Sequence, residues 1–164
     1  MGNIVNMYKW KEEKNMESIF HVAAYLLSLE SMNNKKLQKL CYYVQSWCSA
    51  FTGQLMFNEQ FEAWVHGPVC PTLYRAYKQW GSLDIPRFTN VENINLREQN
   101  IAIIHAVYDA YGTFSAEELE ACTHSERPWQ NARKGYAPNE YCRVVISNED
   151  MRAVCLEKIQ AAEN

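Results

Sequence analysis

Apolar side chains recur at helical spacing along most of the chain. Ile19, Val22, Ala23, Leu26 and Leu27 stand at i, i+3, i+4, i+7 and i+8, which predicts a helix with one buried face from about Ser18 to Glu30. Asn33 and Asn34 offer a cap for a second helix, where Leu37, Leu40, Cys41, Val44, Cys48 and Phe51 keep the period up to a stop at Gly53. Between residues 60 and 66 the period falls to two. Phe61, Ala63 and Val65 alternate with Glu62, Trp64 and His66, a short strand closed by Gly67-Pro68. Pro71 suits the first turn of a third helix that carries Leu73, Tyr74 and Tyr77 and ends at Gly81.

The second half is punctuated by caps. Asn95 with the acidic Glu98 reads as the start of a helix through Ile101, Ile104, Val107, Tyr108 and Tyr111, stopped by Gly112. Ser115 and Glu118 form a capping box, with Phe114 and Leu119 placed as a hydrophobic staple. A short helix is expected near Pro128 to Lys134. Val144, Val145 and Ile146 are β-branched and mark a second strand around residues 142–146, and Ser147 with Asp150 opens a last helix. The fold class expected is mainly α (α+β): a compact domain of six or seven helices with a small antiparallel sheet. Residues 1–17 lack apolar periodicity and read as a partly disordered leader, leaving 18–164 as the domain.

Composition narrows the class. At 164 residues and 19.1 kDa the chain suits one domain, and its 48% hydrophobic and 21% charged residues exclude a disordered tail. The longest apolar run, Val22 to Leu27, is far short of the ~20 residues of a membrane helix, so a soluble, cytoplasmic protein is expected. Sixteen basic against nineteen acidic residues give a net charge of −3, which disfavours nucleic acid as the main partner. Six cysteines are spread without a C-x-x-C pair and read as reduced, buried thiols. His66 and Cys70 are separated by Gly67-Pro68, and Cys122 and His124 form only a pair, so neither meets the four-ligand pattern of zinc. No cofactor, metal or catalytic residue is expected.

Three segments stand out: Lys36-Leu37-Gln38-Lys39-Leu40-Cys41-Tyr42-Tyr43-Val44-Gln45-Ser46-Trp47; Phe57 to Val69, with Trp64-Val65-His66-Gly67-Pro68 at its end and Pro71 and Tyr74 beyond; and Thr123-His124-Ser125-Glu126 followed by Pro128-Trp129 and Ala132-Arg133. In this order and spacing they resemble the Panacea antitoxin-associated domain, the SocA-like or GepA-like phage-associated family. The resemblance implies an antitoxin of a bacterial or phage toxin–antitoxin system. Its partner would be a cognate toxin encoded by an adjacent gene, neutralised by direct binding, and an adaptor role as in one member of the family would add a Clp protease as a second partner. A Cys/His hydrolase-type enzyme and a DNA-binding phage regulator are the alternatives.

Within the motifs, Leu37, Leu40, Cys41 and Val44 are expected to turn inward while Lys36, Lys39 and Tyr43 share an outer face of the second helix. Glu62 and Trp64 share the strand face opposite Phe61 and Ala63, and His66 extends it. His124 and Arg133 are the polar members of the third motif that would meet a partner. These eight are the candidate partner-binding residues. Gly67, Pro68, Pro71, Tyr74, Pro128 and Trp129 are assigned to structure.

Overall fold

The computed structural model describes residues 16–164, so most of the expected leader lies outside the described residues. Of its last two positions, Glu17 is paired: its N–H donates to Met56 O at 2.8 Å, beside Phe57.

Seven α-helices follow in the described chain: α1 (Ile19–Leu29), α2 (Asn34–Thr52), α3 (Pro71–Tyr77), α4 (Glu98–Tyr111), α5 (Ala116–His124), α6 (Arg127–Ala132) and α7 (Asn148–Glu163). Between α2 and α3 lie two short antiparallel strands, β1 (Glu62–Trp64) and β2 (Gly67–Val69). Asn33, Ser115 and Ser147 cap their helices as the sequence signals, and Ser18 caps α1. Ser18 accepts from Phe20 N–H, Asn33 from Lys36 N–H, Ser115 from Glu118 N–H and Ser147 from Asp150 N–H. Gly53 closes α2 in the left-handed region at φ 75°, where a Cβ would be strained.

Two boundaries differ from expectation. α4 begins at Glu98 rather than behind an Asn95 cap. Asn95 instead donates its N–H to His21 Nδ1, and Glu17 Oε2 accepts from Arg97 N–H, so the helix start is tied to α1 and the chain before it. Gly67-Pro68 does not close the strand but belongs to its hairpin partner, with Trp64 opposite Gly67 and Ala63 opposite Pro68. The turn is Val65-His66, and Gly67 takes φ 105°, which glycine alone adopts without strain. The β-branched run near residue 144 does pair with β1, through a bridge between Glu62 and Val145.

α2 is the axis of the fold. It packs against α1, α3, α4, α5, α7 and β2. Leu37, Leu40, Cys41 and Val44 are fully buried, as expected, but so are Gln38, Lys39, Tyr42, Tyr43 and Gln45. A helix enclosed by neighbours has no solvent face, and its polar side chains must find partners inside. They find loop backbone. Gln45 donates to Phe57 O at 2.7 Å and accepts from Met56 N–H at 2.8 Å, while Gln38 Oε1 accepts from Cys70 N–H at 2.8 Å. α2 thus fixes both ends of the hairpin segment.

Candidate functional site

Burial removes half of the expected binding face. Lys39 is 1% exposed and Tyr43 3%, so the outer face expected of α2 is interior. Lys39 runs beneath the hairpin: a Cβ on Gly67 would lie 2.7 Å from Lys39 Cε and 3.0 Å from Thr123 Oγ1, so only glycine leaves room for the chain. Among the described residues Lys39 has no ion-pair partner, and burial above all lowers its pKa to about 7. Tyr43 donates to Glu126 Oε1 at 2.8 Å, stacks on Tyr111, and has its pKa raised chiefly by burial. Lys158 Nζ reaches the other oxygen of Glu126. Lys36 is largely covered and spans two elements, donating to Glu30 Oε2 and to Gly112 O, both at 2.7 Å.

The third motif is also a clamp. Arg133, expected to face a partner, is buried; its guanidinium donates to Ala63 O at 2.8 Å, Ala137 O at 2.9 Å and Glu140 O at 2.6 Å. Trp129 Nε1 donates to Trp64 O at 2.8 Å, and its ring is stacked between His124 and the Arg133 guanidinium. Pro128 is buried at the start of α6. The hairpin is therefore held from α2 on one side and from α5–α6 on the other.

What these clamps present outward is the far face of the hairpin. Glu62 and Trp64 project there, with Trp64 Nε1 donating to Glu62 Oε1 at 2.9 Å and Arg143 Nε to the same oxygen at 3.3 Å. Tyr74, assigned to structure from its sequence, is 38% exposed and packs edge-on against Trp64. Pro71 sets α3 so that this tyrosine reaches the strand. Beyond Glu62 stand Val145 and Tyr141, 45% and 72% exposed. Sequence reading missed Tyr141, Arg143 and Val145 as surface residues; the β-branched run beside an arginine was the available signal.

At the hairpin tip the exposed His66 meets α5. Its Nδ1 lies 2.7 Å from Glu120 Oε1, and Lys35 Nζ donates to Glu120 Oε2 at 3.0 Å. Burial pushes the Glu120 carboxyl up, but Lys35 and His66 outweigh it and hold the group below its ordinary value. His124 Nε2 is buried without a hydrogen-bond partner among the described residues, 3.9 Å from the same carboxylate, and burial lowers its pKa. His66, Glu117, Glu120, His124 and Trp129 line an open cleft of about 410 Å³. Rigidly held aromatic and charged groups around a cleft are what a protein interface uses as anchors.

The family model described as "Antitoxin SocA-like, Panacea domain" matches residues 37–130, more than half of the chain. The chain belongs to this Panacea antitoxin family. It is 31% identical over 119 residues to Antitoxin SocA of Caulobacter vibrioides (strain NA1000 / CB15N), an alignment that takes in 66% of this chain and 63% of the relative. The chain therefore spans less than two thirds of that relative's length. No solved structure matches. The family match runs from α2 through the hairpin to α6, the segment in which the clamps converge. Among the described residues no helix is long and apolar enough to cross a membrane.

Proposed function

We propose that this chain neutralises a toxin by direct protein–protein contact, through the outer face of the hairpin and the cleft at its tip. The observation that carries the reading is the division of the family's motifs. Of their buried members, Lys39 and Arg133 hold the hairpin and Tyr43 ties α2 to Glu126, while Glu62, Trp64, His66 and His124 stand at the surface so presented. A surface fixed before binding loses little freedom on association, which favours tight sequestration. The thiols speak for binding rather than catalysis. Burial raises the pKa of Cys41, Cys48, Cys122 and Cys155, the reverse of an activated nucleophile. The partner is the product of an adjacent gene, and delivery of the bound toxin to a Clp protease is a further role the family suggests.

The test is co-expression with the adjacent reading frame. The neighbour's product alone should arrest growth, this chain should restore it, and the two should co-purify. A harmless neighbour, or rescue without a complex, overturns the reading.

A further inference from the structure

Residues 144–146 run beside β1 and bridge to it at Val145. Ala63 N–H donates to Val144 O at 2.9 Å, Ile146 N–H donates to Phe61 O at 2.8 Å, and Glu62 lies opposite Val145. In an antiparallel pair, successive residues direct their N–H and C=O groups alternately to the neighbouring strand and away from it. Val144 and Ile146 are bonded to β1, so Arg143 and Val145 turn their backbone groups outward. Among the described residues neither has a backbone hydrogen bond on that side. The opposite edge of the sheet, at β2, is covered by α2 and α5. The free edge is thus Arg143–Val145, and Val144 and Val145 there are 39% and 45% exposed.

Proteins blunt such edges with outward charges or proline, because an open edge templates another strand. Here the one charge on the edge, Arg143, is drawn onto Glu62 across the sheet face, and the exposed side chains beside it are Tyr141, Val144 and Val145. Next to Val145 opens a cleft of about 200 Å³ lined by Glu59, Glu62, Pro71 and Thr72. Glu62 is engaged by Trp64 and Arg143, but Glu59 Oε2 is buried with no hydrogen-bond partner among the described residues. A buried carboxylate oxygen without a donor is costly, and a cation supplies what it lacks.

We propose that the Arg143–Val145 edge takes an extended segment of the toxin by strand addition, with a lysine or arginine of that segment entering the cleft to reach Glu59. The proposal rests on the antitoxin reading. Main-chain hydrogen bonds supply affinity in this mode, and side chains at alternate positions supply selectivity. A second copy of the chain is the poorer occupant, because two edges brought together would also bring together two acidic clefts.

The test uses the whole chain with the product of the adjacent reading frame. Amide exchange at Val145 should slow at least tenfold in the complex. Val145→Pro removes an N–H that no bond among the described residues uses, and it leaves the Ala63–Val144 and Ile146–Phe61 bonds in place, so the fold should survive. It should weaken the complex at least tenfold. Glu59→Gln should weaken it severalfold and Glu59→Lys more, and these two variants keep the test open if the proline variant melts early. A complex that leaves the Val145 amide unprotected, with affinity unchanged in the glutamate variants, overturns this proposal and leaves the antitoxin reading standing. Absence of any complex overturns both. Protection of Val145 that rises with the concentration of the chain alone assigns the edge to a second copy and overturns the toxin as occupant.

Discussion

Lys39 is the residue that shows how much the interior of this protein tolerates and why. Its ammonium is desolvated by burial, pushed further by Lys35 and only partly relieved by Glu120, so it loses its proton near pH 7 instead of 10.5. In the unfolded chain it remains charged up to that ordinary value. Between about pH 7 and pH 10.5 the unfolded state therefore holds more of the Lys39 proton, and this residue's contribution to stability rises with pH across that window. The slope contributed is at most about 1.4 kcal/mol per pH unit. Urea midpoints measured from pH 6.5 to 8.5, below the range in which the thiols ionise, should climb more steeply in the native chain than in Lys39→Met, which keeps the stem and removes the charge; parallel curves would show that Lys39 is not desolvated. Gly67 is the matching constraint. An alanine there would be strained at φ 105° and would press on Lys39 Cε at 2.7 Å, so Gly67→Ala should cost about 2 kcal/mol or more in a denaturant titration.

At the scale of elements, the polar residues of α2 act as fasteners. Tyr43 joins α2 to the start of α6 through Glu126, and Lys158 of α7 meets the same carboxylate. Tyr43→Phe should cost about 1.5–3 kcal/mol, the usual worth of a buried hydrogen bond to a charged group, with toxin affinity unchanged in the folded protein. In a double-mutant cycle with Glu126→Gln the two losses should be less than additive, and full additivity would show that the pair does not interact. This element also marks the limit of what the sequence discloses. Helix periods and caps are local, and Leu37, Leu40, Cys41 and Val44 announced both the helix and its first buried face. Whether a second face is covered depends on elements far away in the chain, and Lys36, Lys39 and Tyr43 carry no local sign of Gly67, Glu126 or Gly112. The strand face was more legible, because a two-residue period places Glu62 and Trp64 opposite Phe61 and Ala63 whatever surrounds them. Glu120 and Val145 entered the surface only through tertiary packing.

At the scale of the whole molecule, the family match at residues 37–130 is shorter than the folding unit. α1 and α7 lie outside it, yet both pack on α2. From outside the match come Ile19, Val22, Leu26, Leu27, Ile146 and Met151, all nearly inaccessible within one continuous core. Burying a side chain of this size is worth about 1.5–3 kcal/mol, so their removal forfeits on the order of 10 kcal/mol. A domain's entire net stability is about 5–15 kcal/mol. The segment at 144–146 would go as well, leaving β1 bare on one side and exposing the Phe61 and Ala63 backbone it satisfies. A fragment limited to residues 37–130 should therefore show no cooperative urea transition and little near-ultraviolet dichroism from its tryptophans and tyrosines. A fragment of residues 16–164 should unfold in a single transition, because α2 touches nearly every element and cannot be released from one without disturbing the rest. Two separated transitions in that longer fragment, or a cooperative one in the shorter, would show that the flanking helices dock onto an independent centre.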